Sequence, residues 1–303
     1  MKLLRDIRDI VGVKGRECGD KSVEKLFAMS FWALYSETIK YEIQIPNSSQ
    51  PISINAVTSD EYFKLRNKKY PPKQEQLYKL KLTKNNQVAE ITIRSFYGDK
   101  NYISFLKKSF DTIKKENYKT LIIDVRNNPG GRSRAVDSLM NYLTSKPYSQ
   151  YSAIRTRINI HTKEIFKNRQ PNFFEQIEYL KKDTLHVTNS DQLIHYPDMN
   201  KQKYTGKLFV RINGRTNSAA ATFSGIIKDS KLGIVVGSTS GEHIKYFGDF
   251  FTFKLPKTDF TFYVSSKELT QFGGSFQNQG VTPDIFLDEN VNTIDYISGN
   301  QIW

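Results

Sequence analysis

Two strand-helix pairs in succession constrain the fold of this chain more than any other feature of its sequence. Residues 89–93 alternate between apolar and polar side chains, as in a half-buried strand, and residues 103–113 carry apolar side chains at helical spacing. The apolar run at residues 121–125 then predicts a buried strand, and residues 136–143 predict a second helix. A strand followed by a helix, twice, indicates an α/β layer.

The same order resumes further along the chain. Residues 207–212 predict a strand, residues 218–229 a helix lined by small alanines, and residues 232–236 another strand. Residues 251–255 and 260–264 predict the two strands of a hairpin. The α/β pattern therefore continues through most of the C-terminal half.

Residues 159–202 interrupt this pattern, because they are polar and lack sustained periodicity. We expect an excursion that covers or flanks the core, with some helix around residues 173–180. The segment contains three of the four histidines of the chain, His161, His186 and His195.

The N-terminal part is predicted to be a small separate unit. Residues 21–35 carry apolar side chains at helical spacing, and residues 41–56 are predicted to be extended. Residues 59–76 are polar and charged and contain two consecutive prolines, which favours a linker. We therefore predict an N-terminal module with its linker at 1–76 and a main domain at 77–303.

Length and composition exclude several classes of protein. A chain of 303 residues can bury a sizeable core without metals or disulfides, and Cys18 is its only cysteine, which excludes an internal disulfide. No apolar run approaches the ~20 residues that a membrane span requires. The first residues are basic but lack the continuous apolar stretch of a signal peptide, so they give no export signal and leave the localisation open.

The net charge of +14 raises the question of nucleic-acid binding. The lysines are scattered along the chain, however, and no recognised nucleic-acid motif accompanies them. We therefore expect no nucleic-acid partner. A polybasic nucleic-acid binder would be recognised by binding that falls steeply as salt is added.

Residues 121–131, with the sequence LIIDVRNNPGG, form the first motif that could support chemistry. A buried strand here ends in a polar turn and two glycines, Gly130 and Gly131, before the next helix. Glycines let a substrate approach closely and leave backbone N–H groups available, as an oxyanion hole requires. Taken alone, the same pattern also fits a tight strand-to-helix turn that binds nothing.

A second motif, RTNSAAATF, places Ser218 where a strand and turn lead into a helix. A serine at this point could serve only as an N-cap, because its hydroxyl can accept hydrogen bonds from the first N–H groups of the helix. The combination favours catalysis, since a Gly-Gly turn and a serine turn after two buried strands are the two parts that a serine hydrolase brings together.

Four motifs in order, LIIDVRNNPGG, RTNSAAATF, VVGSTSG and NQGVTPDI, resemble those of the C-terminal processing (tail-specific) peptidases and their tricorn-like relatives. The resemblance covers roughly residues 87–285. It implies an α/β (α+β) fold built as a crotonase/ClpP-like spiral of ββα units, and serine peptidase activity on extended polypeptides. Upstream, DIVGVKGRECGDKSVEKLF resembles the end of the family's PDZ-like peptide-binding module, which implies a truncated or degenerate module.

Matched position by position, the resemblance makes Ser218 the nucleophile and assigns the oxyanion hole to Gly130, Gly131 and Ala219. The first motif also contains polar residues that would hold its loop rather than react, namely Asp124, Arg126 and Asn128. The turn that ends at Asp284 matches the family's closing turn, where we expect the Asp284 carboxylate to bind nearby backbone.

The general base departs from the family pattern, because His243 stands where these peptidases have a lysine. An imidazole, with its ordinary pKa of about 6.5, can accept a serine proton. Lys245, Glu242 and a histidine from elsewhere in the chain remain alternatives.

We expect no cofactor and no metal, since the four histidines lack the spacing of a zinc site. The related peptidases are commonly exported, which suggests a periplasmic or cell-envelope location even though this chain shows no signal. A different class of function also remains open, because a fold does not dictate function. The altered base position is compatible with a catalytically inactive peptide- or ligand-binding protein on the same scaffold.

Overall fold

The computed structural model describes residues 40–44, 50–69, 76–180, 184–255, 261–272 and 280–299. The chain divides into two compact units, Met1–Glu75 and Gln76–Trp303. The helix predicted at residues 21–35 lies outside the described residues.

In the N-terminal unit, two strands pair antiparallel, β1 (Lys40–Ile43) and β2 (Ile52–Asn55), and together they overlap the stretch 41–56 that was predicted to be extended. The helix α1 (Ser59–Lys69) follows, within residues 59–76, for which the sequence predicted a boundary or linker and no helix. A reciprocal pair of hydrogen bonds explains the helix start. The Glu61 N–H donates to the Thr58 hydroxyl, and the Thr58 N–H donates to the Glu61 carboxylate.

The second unit contains the remaining strands and helices. Its strands are β3 (Tyr78–Thr83), β4 (Val88–Ile93), β5 (Thr120–Asp124), β6 (Tyr148–Ser149), β7 (Tyr151–Ile158), β8 (Thr184–Asn189), β9 (Ile194–His195), β10 (Lys207–Ile212), β11 (Ile234–Gly237), β12 (Lys245–Lys254), β13 (Thr261–Gln271) and β14 (Ile285–Phe286). Its helices are α2 (Lys100–Lys115), α3 (Ser133–Met140), α4 (Ile160–Arg169), α5 (Pro171–Ile177), α6 (Ala219–Asp229) and α7 (Thr293–Gly299). A short 3₁₀ turn covers Ser190–Gln192.

The main sheet has six strands in the order β14-β11-β10-β5-β4-β3. All neighbours are parallel except β3 and β4, which form an antiparallel hairpin. The carboxyl ends of β5 and β10, and therefore the turns that follow them, lie side by side at one edge of this sheet.

The sheet is covered on both faces, as a mostly parallel sheet must be. Along β5, Ile123 belongs to a large apolar cluster with residues of α2, α3 and α6, whereas Ile122 points to the opposite face. There it packs with Ile294 and Ile297 of α7. Strand β5 is therefore buried on both faces, which explains its continuous apolar sequence.

A second sheet has the order β12-β13-β7-β8 with antiparallel neighbours. Helices α4 and α5 pack on it through a separate small core that contains Phe166, Ile177 and Phe251. Much of the predicted excursion at residues 159–202 is therefore regular structure. The helix that was predicted around residues 173–180 overlaps α5. An Asn159–Thr162 capping box starts α4, and Phe166 of this helix packs on Phe173 of α5 and on Phe251 of the distant strand β12.

The predicted α/β class is confirmed, with a mixed central sheet. The strand-helix order matches the elements from β4 to α3 and from β10 to β11, while β3 and β7 were not predicted. The predicted hairpin is longer than expected, since β12 and β13 pair from Lys245 to Thr270. Within the described ranges, no helix has the length and apolar character needed to cross a bilayer.

Two isoleucines test the assignment of the core. Ile123 is 0% exposed and Ile103 is 44% exposed. We expect Ile123→Ala to lower the free energy of unfolding by about 2–5 kcal/mol, because it leaves a cavity between the sheet and the helices. Ile103→Ala on the surface of α2 should change it by less than about 0.5 kcal/mol. Urea denaturation followed by circular dichroism measures both, and equal losses would contradict this core.

Candidate active site

The Gly-Gly turn after β5 and the serine turn after β10 are in direct contact. A Cβ added at Gly130 would lie 2.6 Å from the Ser218 Cβ, so only glycine leaves room for the serine at this point. The Asn217 N–H also donates to the Asn128 carbonyl at 2.9 Å, which joins the two turns through their backbones. The fold therefore brings together the two motifs that the sequence paired.

Ser218 adopts an uncommon backbone conformation, with φ 47° and ψ −127°. Positive φ is costly for a residue with a side chain, and such strain clusters at functional turns. Ser218 occupies the N-cap position of α6, yet its side chain makes no capping hydrogen bond. The Ser218 hydroxyl therefore does not cap the helix, which was the alternative role that the sequence left open.

Three backbone N–H groups surround this contact, and they differ in what they bind. The Gly130 N–H donates to the side-chain oxygen of Asn128 at 2.8 Å, so it is already used. Among the described residues, the N–H groups of Gly131 and Ala219 have no hydrogen-bond acceptor. The Ala219 nitrogen lies 3.0 Å from the position of a Gly130 Cβ, at the contact between the turns. Gly131 and Ala219 can therefore donate to a ligand, whereas Gly130 provides space.

The polar residues of the first motif form a buried network beneath the turn. Arg126 contacts the Asp124 carboxylate at 2.8 Å, and Arg94 approaches it at 3.4 Å. Burial raises the pKa of the Asp124 carboxyl, but hydrogen bonds and charge from Arg126, with the charge of Arg94, outweigh it and hold the pKa below its usual range. Asn128 is fully buried and also donates to the Ile93 carbonyl at 3.0 Å.

The structure adds Thr216 and Asn213, which the sequence reasoning did not single out. The buried Thr216 hydroxyl donates to the Val125 carbonyl at 3.0 Å and accepts from the Asn213 N–H at 3.0 Å. The Asn213 side-chain oxygen accepts from the Asn127 N–H at 3.0 Å. Both residues bond to the first motif, which lies far away along the chain. The sequence signal for Asn213 is a polar residue directly after a buried strand, and Thr216 lies inside the second motif, two residues before Ser218.

The side chain of Glu242, a titratable residue, contacts Ser218. Its carboxylate accepts the Ser218 N–H at 3.2 Å. The preceding residue, Gly241, makes this approach possible, because its N–H donates to the Thr216 carbonyl and an added Cβ would lie 2.3 Å from the Gly214 oxygen. Burial raises the pKa of the Glu242 carboxyl, and this outweighs the opposing effects of the Ser218 hydrogen bond and of His243.

His243 and Lys245 follow Glu242 into β12. The His243 carbonyl accepts from the side chain of buried Gln271 at 3.1 Å, and its side chain is half-buried next to Glu242. Lys245 is exposed at the start of β12. The next residue, Tyr246, points into the protein and contacts the Thr222 hydroxyl of α6 at 3.3 Å. Since neighbouring strand residues point to opposite faces, the Lys245 side chain is directed away from α6.

The other three histidines take part in separate contacts. His195 pairs with Asp137 of α3 at 3.3 Å and stacks on Tyr148. His186 packs edge-on against Phe173 of α5, and His161 lies exposed in the first turn of α4. In the part of the chain with described coordinates, no group of three or more His, Cys, Asp or Glu residues could hold a metal ion.

The last two motifs pack against each other behind the site. The Ser240 hydroxyl accepts from the Val281 N–H at 2.8 Å, which connects the loop before Glu242 to the fourth motif. The Asp284 carboxylate accepts from the Val235 N–H at 2.8 Å and pairs with Lys228 at 2.7 Å. The predicted role of Asp284 in binding backbone is thus confirmed. The first two residues of the fourth motif, 278 and 279, lie outside the described residues.

A serine at a strained strand-to-helix turn, with one available N–H group next to it in α6 and another on the adjoining Gly-Gly turn, is the arrangement typical of the class of serine hydrolases. The particular family follows from the sequence as a whole: the chain belongs to peptidase family S41, whose model matches residues 87–287. This match confirms the resemblance to the C-terminal processing and tricorn-like peptidases. No curated protein sequence matches the chain.

Solved structures resemble the chain in fold at low sequence identity. Mature CPAF shares 14% identity with a TM-score of 0.56, covering 98% of this chain and 73% of that one. A mutant of CPAF shares 19% identity with a TM-score of 0.54, covering 71% and 48%. The photosystem II D1 C-terminal processing protease shares 16% identity with a TM-score of 0.49, covering 85% and 57%. The chain thus spans about half of the length of the last two structures.

The contribution of the buried Asp124 carboxylate to the free energy of unfolding should depend on pH. Because the pKa of the folded carboxyl is lowered, its contribution to stability is complete above the unfolded pKa of about 3.9 and is lost as pH falls through the folded value. We expect Asp124→Asn to lower the free energy of unfolding by about 3 kcal/mol at pH 7. The difference from wild type should shrink below about pH 4. Urea titrations at both pH values measure this, and a difference that does not depend on pH would contradict the ion-pair assignment.

Proposed function

We propose that this protein is a serine peptidase that hydrolyses peptide bonds of polypeptide substrates, in the manner of the C-terminal processing peptidases. The observation that carries the proposal is the contact between Ser218 and the Gly130 turn, beside the two N–H groups of Gly131 and Ala219 that have no acceptor in the described chain. Membership of peptidase family S41 supports the same reaction.

In this proposal the Ser218 hydroxyl attacks a peptide carbonyl, and the carbonyl oxygen becomes an oxyanion. The N–H groups of Gly131 and Ala219 hold this oxyanion, where the loss of one donor typically costs about 3 kcal/mol of transition-state stabilisation. The proton of the hydroxyl passes to a base and then to the leaving amine, which departs and leaves an acyl-serine ester. Water then attacks the ester, and the base takes a proton from the water and returns it to the serine oxygen as the acid product leaves. The strained φ of Ser218 keeps its side chain out of the helix cap.

The proton acceptor that we propose is Glu242. Its carboxylate contacts the Ser218 backbone N–H at 3.2 Å, and a general base has to lie close to the residue whose proton it accepts. Burial raises its pKa, which makes it a stronger base than an exposed glutamate. His243 lies next to Glu242 and remains the alternative base, whereas Lys245 points away from α6.

The substrate that we propose is an extended polypeptide bound through its backbone, because a strand added to a sheet edge gains affinity without narrow sequence demands. Strand β12 is an edge strand of the second sheet and starts three residues after Glu242. We further propose that residues 1–76 are a reduced peptide-binding module and that 77–303 is the peptidase domain.

A second candidate function is peptide binding without turnover. The observation that favours it is that the Ser218 hydroxyl makes no hydrogen bond to any base in the described part of the chain. Such a protein would bind unfolded polypeptides equally well as wild type and as Ser218→Ala, and it would cleave none.

Hydrolysis of unfolded casein tests the nucleophile. We expect the wild-type chain to cleave casein and to react covalently at Ser218 with a fluorophosphonate probe, since this reagent captures activated serines. Ser218→Ala should lose both activities. Ser230→Ala, at an exposed serine beyond the other end of α6, serves as the control and should keep them. Casein binding without cleavage or labelling would favour the second candidate.

The pH profile tests the base. A glutamate base must be ionised, and burial raises its pKa, so kcat/KM should fall as pH drops through a value above the ordinary 4.5. Glu242→Gln should lower kcat at least about 100-fold, because the amide cannot accept the proton. Lys245→Ala should have little effect. If His243→Ala abolishes the activity while Glu242→Gln keeps it, together with its fall in kcat/KM at low pH, then the His243 imidazole is the base.

A further inference from the structure

Glu289 lies two residues beyond the part of the chain that matches the family, and yet it reaches the catalytic turns. Its segment is held in place by two arginines that extend from the ends of β5 and β10. Arg126 donates to the Glu289 carbonyl at 3.0 Å, and Arg211 donates to the same carbonyl at 3.0 Å and to the Val291 carbonyl at 2.5 Å. The backbone of this segment is therefore anchored independently of the Glu289 side chain.

The Glu289 carboxylate is directed at Asn213, a residue that is 1% exposed. The Asn213 amide nitrogen donates to Glu289 at 2.9 Å and to the Asn127 side-chain oxygen at 3.0 Å. The Asn213 amide oxygen accepts the N–H groups of Asn127 and Arg215, both at 3.0 Å. One buried amide thus bonds on both its nitrogen and its oxygen, and its orientation is determined because its nitrogen faces two acceptors.

These bonds join the two turns that form the site. Asn127 precedes the Gly-Gly turn and has a φ of 57°, a conformation that its bonds to Asn213 help to hold. Arg215 lies three residues before Ser218 and approaches the Glu289 carboxylate at 3.7 Å. Asn213 therefore bonds to both turns, and Glu289 contacts both Asn213 and the serine turn.

We propose that Asn213 and Glu289 are a positioning pair that sets the distance between Ser218 and the N–H groups of Gly131 and Ala219. Glu289 orients the Asn213 amide, and the amide fixes the Gly-Gly turn against the serine turn. The pair touches neither substrate nor the reacting atoms. This inference rests on the proposed function, because its effect is on the rate of the peptidase reaction.

A structural role alone would predict a different pattern of defects. The Glu289 side chain is 49% exposed, and its backbone is held by the two arginines, so its truncation should cost little stability. A misplacement of about 1 Å between nucleophile and oxyanion donors can nevertheless lower the rate about 100-fold. The pair therefore predicts a loss of kcat that greatly exceeds the loss of stability, with KM nearly unchanged.

The experiment exchanges the donor and the acceptor of the pair. Asn213→Asp removes the donor and places a second carboxylate against Glu289, so kcat should fall about 10- to 100-fold. Glu289→Gln alone keeps an acceptor and should retain near wild-type kcat. In the double variant the introduced glutamine amide can donate to the introduced aspartate carboxylate, and kcat should recover at least about 5-fold over Asn213→Asp. Asp288→Asn is the control for Glu289→Gln, because it removes the same charge at an exposed neighbouring residue, and it should keep wild-type kcat.

The measurements are kcat and KM on a peptide substrate, together with the melting temperature of each variant. Glu289→Ala, whose side chain is on the surface, keeps the test valid if Asn213→Asp does not fold, and its kcat should fall about 10-fold at an almost unchanged melting temperature. Wild-type kcat in Glu289→Ala, or no recovery in a folded double variant, would overturn the positioning role. If the wild-type chain cleaves nothing, the proposed function fails instead, and recovery of the melting temperature in the double variant still reports the pairing.

Discussion

The close approach of Gly130 to Ser218 is the contact on which the rest of the site depends. It requires a residue without a side chain at one turn and a strained backbone at the other, and neither is stable in isolation. The parallel pairing of β5 with β10 supplies the support, because it places the carboxyl ends of both strands at one sheet edge. Burial of β5 on both faces keeps this pairing rigid.

The polar residues around the turns have a shared task, which is to satisfy backbone groups that the turns leave inside the protein. The Asn128 side chain accepts the Gly130 N–H, so the N–H groups at this contact that have no acceptor among the described residues are those of Gly131 and Ala219. Thr216 and Asn213 do the same for the carbonyl of Val125 and the N–H of Asn127. Because an unsatisfied buried polar group costs about 1–3 kcal/mol, these side chains stabilise the strained turns and also define which groups remain for a ligand.

Part of this site is predictable from the sequence, for reasons that are local. A buried strand followed by glycines or by a small-residue helix produces a turn whose type depends on a few adjacent residues, and so Ser218, Gly130 and Gly131 could be named. Helices α1 and α4 were not predicted from the sequence, and α5 was predicted only approximately. Helix α1 begins at a Thr58–Glu61 capping pair in a polar, charged segment, and α4 packs on Phe251 of β12, which lies far along the chain.

The sequence by itself determined the family, the α/β class and the identity of the two turns, because each is encoded by short-range patterns of apolar, small and polar residues. Only the tertiary structure decided which titratable group meets the serine. Along the chain His243 matches the family's base position, with Lys245 and Glu242 as alternatives, but Gly241 packs against Gly214 and turns the Glu242 carboxylate onto the Ser218 N–H. The alternation of β12 directs Lys245 away from α6. Such a selection depends on contacts between distant segments, which no local pattern specifies.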